Sequence, residues 1–302
     1  PKPLGTFLKK SVPPTIVSAY YEMPSKYPKE NYRTWIRLFL ENCQAHIIFF
    51  CEESFKPFVE DCRKNFKDHT TIQVLDRKEW TANTEFSNDF WEKQHLIDPE
   101  KSIHSVDLYK VWYEKKEFIK RAIALNPWKH TDFVWADAGI IRSQELCNLV
   151  KDGFLYADRI PTDRILLSNI GQFTENDSIV RSINGIEFRG DTSGKMRIDA
   201  KLIAGSIESW NQYDKLYESI LDKYINAKIF LGKDQTIMAT LVLEHPNTVS
   251  LVEPKPIGGE PWFYLILWLG APPIIYNKMI SDSTNTRKHT YTDLLKYLPI
   301  LE

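Results

Sequence analysis

The chain has 302 residues, 43% hydrophobic and 26% charged, an ordinary globular composition long enough for one large α/β domain or two modest ones. Its 39 lysines and arginines nearly balance 40 aspartates and glutamates, so no general field draws it to nucleic acid or to an anionic membrane. Cys43, Cys51, Cys62 and Cys147 show neither CxxC nor zinc-like spacing and read as reduced, buried thiols. Pro1 to Gly5 lead into no signal-peptide apolar region, and the longest apolar stretch, 262–271, is too short to span a bilayer. That stretch reads as a buried element, and the expected location is cytoplasmic and soluble.

Residues 15–21, β-branched and aromatic, predict a first strand. Trp35, Leu38 and Phe39 sit at helical intervals within 32–42, residues 46–51 form a second apolar run, and Phe55, Phe58, Val59 and Cys62 mark a second helix over 54–66. Residues 71–75 give a third strand. This alternation is the pattern of a parallel sheet flanked by helices. The polar, aromatic-rich segment 78–104 is weakly periodic. A long helix follows over 105–125, stopped by Asn126-Pro127.

The strand predicted next is the most informative element, because Phe133-Val134-Trp135-Ala136 ends on Asp137 with Ala138-Gly139 as a sharp exit. Open α/β sheets bind ligands outside the carboxyl ends of their strands, which is where this carboxylate is delivered. Beyond it come a short helix over 143–151 with Ser143 at its start, a strand at 165–168 and a mobile loop or excursion over 171–195. The last elements are a strand over 201–205 with a glycine exit and helices over 207–224 and 234–243. No repeat or linker divides the chain, so a single domain over 1–302 is expected.

Asp137 reads equally as a ligand for Mn²⁺ or Mg²⁺ carrying a nucleotide diphosphate and as a turn carboxylate that caps the following helix or pairs with Arg142. Asp234, after Gly232-Lys233, reads as a general base towards an acceptor hydroxyl or as a helix cap. Ala204-Gly205-Ser206 reads as a point of close ligand approach or as a strand-to-helix turn. Lys110, Lys115 and Lys116 on the long helix are within reach of diphosphate oxygens or simply solvated. His245 and His289 have no metal-ligand spacing and read as structural or exposed. No GxGxxG follows the first strand, and neither GxxxxGK[ST] nor GxSxG is present, which disfavours dinucleotide binding, P-loop phosphoryl transfer and α/β-hydrolase chemistry.

The Thr15-Ile16-Val17-Ser18-Ala19-Tyr20-Tyr21 strand, the Trp135-Ala136-Asp137-Ala138-Gly139 element and the late Asp234-Gln235 pair together resemble the HtrL/YibB group, which is regarded as glycosyltransferase-like. The resemblance implies an α/β domain of the GT-A nucleotide-sugar fold, a mostly parallel sheet flanked by helices. It implies that Ser18, Ala19 and Tyr20 hold the base and ribose, that Asp137 is the metal carboxylate, that Ala204 and Gly205 border the acceptor, and that Asp234 lies near the anomeric carbon. Lys116, Trp135, Gly139 and Gln235 complete the expected donor-binding set. One departure from the family pattern is that Trp135 and Gly139 flank Asp137 where an Asp-x-Asp signature would supply a second carboxylate.

The expected activity is transfer of a sugar from a nucleotide-sugar donor, a UDP-sugar by family analogy, to a glycan hydroxyl. A divalent ion would stabilise the leaving diphosphate and Asp234 would act as base. The competing readings are a metal-dependent nucleotide-sugar hydrolase or nucleotidyltransferase, and a non-catalytic carbohydrate-binding or degenerate family member.

Overall fold

The computed structural model describes residues 12–151, 154–190, 196–254, 257–258, 261–281 and 289–290. Seven strands build its central sheet: β1 (Thr15–Tyr20), β2 (Ile47–Cys51), β3 (Thr70–Val74), β4 (Asp132–Ala136), β5 (Ile165–Asn169), β6 (Ile198–Ser206) and β7 (Val249–Val252). They lie in the order β3-β2-β1-β4-β6-β5-β7. Only β6 runs against the rest, antiparallel to both β4 and β5. This is the mixed α/β class expected, a mostly parallel sheet flanked by helices.

Helices cover both faces, which is why β2 and β4 are buried at every position and read as continuous apolar runs. One face carries α1 (Lys29–Asn42), α2 (Lys56–Cys62), α5 (Gln144–Val150) and α8 (Tyr264–Gly270). The other carries α4 (Val106–Leu125), α6 (Ile207–Ala227) and α7 (Asp234–Glu244). Ser105, Ser143 and Ser206 cap α4, α5 and α6 by accepting from the N–H groups of Leu108, Leu146 and Ser209. All four cysteines are buried free thiols, and α8 is buried throughout, as the apolar stretch led us to expect. Among the described residues no helix is long and apolar enough to cross a membrane.

Two segments are more ordered than their composition implies. Within 78–104, Ser87 caps α3 (Asn88–Ile97), and Trp80 and Trp91 are fully buried anchors. In the expected loop, Arg181–Ile183 and Ile186–Phe188 pair as a hairpin around Asn184 and Gly185, both at positive φ. The conformational freedom of this Asn-Gly pair suits the tight turn. Residues 191–195 of the same segment lie outside the described residues.

At the amino edge of the parallel strands, the ring of His46 lies 4.4 Å from His69, 4.8 Å from His130 and 4.6 Å from Trp128. Burial, then the facing His130 and His69, lowers His46 to about 4. The unfolded chain therefore takes up a proton that the folded state refuses, and this group's contribution is lost as pH falls from the ordinary histidine value, 6.5, towards 4. Burial pushes Glu114 up to about 7 and Asp199 up to about 6, and these carboxyls favour the folded state as pH falls. A comparison with the parent protein separates the two senses. His46→Gln should flatten the decline of melting temperature between pH 6.5 and 4. Parallel curves for variant and parent would remove His46 from the acid response.

Candidate active site at the carboxyl edge

The turn after β4 is fixed by its own backbone: Asp137 N donates to Lys201 O at 2.8 Å, and Ile140 N donates to Asp137 O at 2.9 Å. Asp137 neither caps α5, which Ser143 does, nor pairs with Arg142, whose Nε donates to Gly139 O at 3.2 Å. Its Oδ1 accepts from Trp135 Nε1 at 2.8 Å, while the ring of Trp135 stacks on Phe118. The Asp137 side chain remains 34% exposed, the one carboxylate of this cluster that faces solvent.

Lys115, from the middle of α4, joins this strand end to α7. Its Nζ lies 3.2 Å from Asp137 Oδ1 and 3.0 Å from Asp234 Oδ2, and it donates to Ala200 O at 3.0 Å. Burial works against the charge of Lys115, but Asp137 and Asp234 outweigh it and hold the ammonium above the usual lysine range. Asp234 is buried, with Oδ1 accepting from Gln235 N at 2.8 Å. Burial raises its carboxyl against the pull of Lys115. At the start of β6, Asp199 is buried and its Oδ1 is 3.3 Å from Lys201 Nζ. Burial lifts it to about 6 against the pull of Lys201, and Asp137 adds to the rise.

Asp137, Trp135, Asp234 and Gln235 are thus brought to one place. Gly139 is close by, beneath the ring of Trp35. Ser18 is buried on β1, and Tyr20 ends that strand 4.7 Å from Phe55 and 6.0 Å from Tyr32, ring to ring. The loop after β1 lines a cavity of about 410 Å³ with Glu22, Met23, Pro24, Ser25, Tyr27 and Lys29.

Three expected residues fall elsewhere. Ala204 and Gly205 pair with Val134 and Phe133, back along β4 from the edge that carries Asp137, because β6 is antiparallel and presents its first residues to the carboxyl edge. Gly205 is a packing glycine in the turn into α6, where an added Cβ would meet Ile165 Cδ1 at 2.6 Å. Lys116 points away from Asp137 into an acidic cage of Glu117, Asp214 and Glu218. Those three are the described carboxylates whose oxygens gather within 4.8 Å of one another, and they already pair with the ammonium groups of Lys116 and Lys120. The residues missed are Asp199 and Lys201, whose signal was an Asp-Ala-Lys alternation entering a strand; of the three lysines expected within reach of diphosphate oxygens or solvated, Lys115 is the one that meets Asp137.

Fold and site define an α/β protein whose candidate ligand site is a carboxylate–ammonium cluster at the carboxyl edge of a mostly parallel sheet. The chain belongs to the HtrL/YibB family, described as bacterial proteins of unknown function, whose model matches residues 15–267. Among solved structures it is similar to the crystal structure of mouse xyloside xylosyltransferase 1, apo form, at 10% identity, over 79% of this chain and 84% of that chain, with a TM-score of 0.44. A comparison with curated proteins finds no match.

Proposed function

We propose that this chain is a single-domain glycosyltransferase of GT-A type that moves a sugar from a nucleotide-sugar donor, a UDP-sugar, to a glycan hydroxyl. The observation that carries this reading is the meeting of Asp137 and Asp234, from two separate elements, on one buried ammonium. Such a pair offers one carboxylate towards solvent and one of raised basicity beside it, which suits donor binding and proton removal respectively.

The donor set fits a hard divalent cation. Trp135 and Lys115 occupy Oδ1 of Asp137, leaving Oδ2 without a protein partner among the described residues. Mg²⁺ and its relatives bind through one or two carboxylates and complete their shells with water and substrate phosphates. Asp137 would hold Mn²⁺ or Mg²⁺, which supplies Lewis-acid stabilisation of the departing diphosphate. Asp234 would take the proton of the acceptor hydroxyl on Oδ2, while Gln235 N and Lys115 fix the orientation of the carboxylate. Tyr20, Tyr27 and Tyr32 offer ring faces near the carboxyl end of β1 for a base or sugar.

The test is a thermal-shift panel of nucleoside diphosphates and nucleotide sugars with and without Mn²⁺. One UDP-sugar should raise the melting temperature by mass action, more strongly with the ion, and the rise should vanish in Asp137→Asn. Full turnover of donor without acceptor would indicate the hydrolase instead. A glycan response with none from any nucleotide would leave a carbohydrate-binding protein.

A further inference from the structure

On the face of the sheet opposite Lys115 and Asp234, two cations, Arg142 from the turn after β4 and Lys201 from β6, are set around one ring. Arg142 Cζ lies 4.2 Å from the ring centroid of Trp35, 5.3 Å from Tyr27 and 5.5 Å from Phe263. Lys201 Nζ lies 3.8 Å from the ring centroid of Trp262 and 5.8 Å from the same Phe263. Both are anchored to the candidate site by backbone, Arg142 through Gly139 O and Lys201 through its own carbonyl, which accepts from Asp137 N.

We propose that Arg142 and Lys201 form an anion cradle around Phe263, which receives a phosphate or carboxylate group of the substrate beside Asp137. Cation–π contact alone explains why the guanidinium lies among the rings, and it is the commoner use of such a contact. It does not supply acceptors. Nε of Arg142 is satisfied by Gly139, but among the described residues Nη1 and Nη2 have no acceptor and no carboxylate comes within ion-pair distance.

By contrast, Arg33, Arg37, Arg77 and Arg197 all meet carboxylates. A guanidinium held in place by rings, with its outer fork free, is pre-organised for bidentate recognition of an oxyanion. Lys201 spends one direction on Asp199 and keeps further N–H donors.

The cradle deepens the glycosyltransferase reading and rests on it for the identity of the anion. Two sources share the chemistry: the diphosphate of the donor and an acidic group on the acceptor glycan. Titration calorimetry of the full chain against inorganic pyrophosphate, UDP, uridine, glucose 6-phosphate and glucose separates them.

Against the parent, R142Q and R142Q/K201Q should bind the relevant anion about tenfold or more weakly, the loss expected for one or two charge-assisted hydrogen bonds. Loss for UDP with uridine unchanged assigns the cradle to the donor. Unchanged UDP with loss for glucose 6-phosphate, and none for glucose, assigns it to an acidic acceptor. Parent protein that binds pyrophosphate but no nucleotide, and loses it in R142Q, keeps the cradle and removes the nucleotide-sugar reading.

Equal affinities of parent and variants for every anion tested overturn the proposal, as does a parent that binds none of them. R142K keeps charge and ring contact but lacks the fork. It provides the same comparison if R142Q loses its near-ultraviolet circular dichroism.

Discussion

Asp137→Asn is expected to lower sugar transfer by at least about a hundredfold, the scale of removing one transition-state electrostatic contact from a preorganised site. The substitution is nearly isosteric. Asn Oδ1 can still accept from Trp135 Nε1, and the turn itself depends on the backbone bonds to Lys201 and Ile140, which do not involve the side chain. Lys115 keeps Asp234 as a counter-ion, so no buried ammonium is left uncompensated. The variant should therefore keep the circular dichroism of the parent and melt within a few degrees of it. Product formation from a UDP-sugar and glycan, with Mn²⁺ varied, measures the effect. Turnover equal to the parent would take Asp137 out of the mechanism, and loss of turnover accompanied by loss of fold would make its role structural.

The route from sequence to this site was legible wherever side-chain pattern alone determines position. An apolar run ending in a carboxylate and a glycine can hardly be placed except at the end of a buried strand, and β4 delivers Asp137 there. Direction is different. An apolar strand such as β6 reads the same whether parallel or antiparallel to its neighbours, so the glycine exit pointed to Ala204 and Gly205 although reversal of the strand brings Asp199 to Lys201 to the site.

Rotation about α4 was equally hidden. Adjacent lysines on a helix differ by about 100°, and α4 buries polar residues on several sides, including Lys110, Glu114, Lys115, Lys116 and Glu117. No apolar stripe therefore distinguished Lys115, which faces Asp137, from Lys116, which faces Asp214 and Glu218. The hairpin inside the expected loop had a readable signal in Asn184-Gly185 between apolar-alternating flanks, but the surrounding polar residues obscured it.

Lys115→Met should be the most destabilising single change at the site. The parent holds one ammonium between two carboxylates, and Met fills much of the volume while removing the charge. Asp234, 5% exposed, is then left without its ion partner, and Asp137 faces it as a like charge. Leaving one member of a buried ion pair uncompensated costs about 3–5 kcal/mol, and each kcal/mol lowers the melting temperature of a chain of this size by roughly 2–4 °C.

The pH dependence identifies the cause. Asp234 is already raised by burial, and losing Lys115 raises it further. A carboxyl with a folded value above its unfolded one stabilises the fold as protons are added, so the deficit of the variant should be largest at neutral and alkaline pH and shrink on acidification towards the ordinary aspartate range. Adding Asp234→Asn to Lys115→Met should restore most of the stability, because the buried charge is gone, while turnover stays low for want of the proposed base. A Lys115→Met protein with the parent's melting temperature would mean that the two carboxylates do not depend on this ammonium. A deficit that the second substitution leaves untouched would place the cost in packing around α4 rather than in charge.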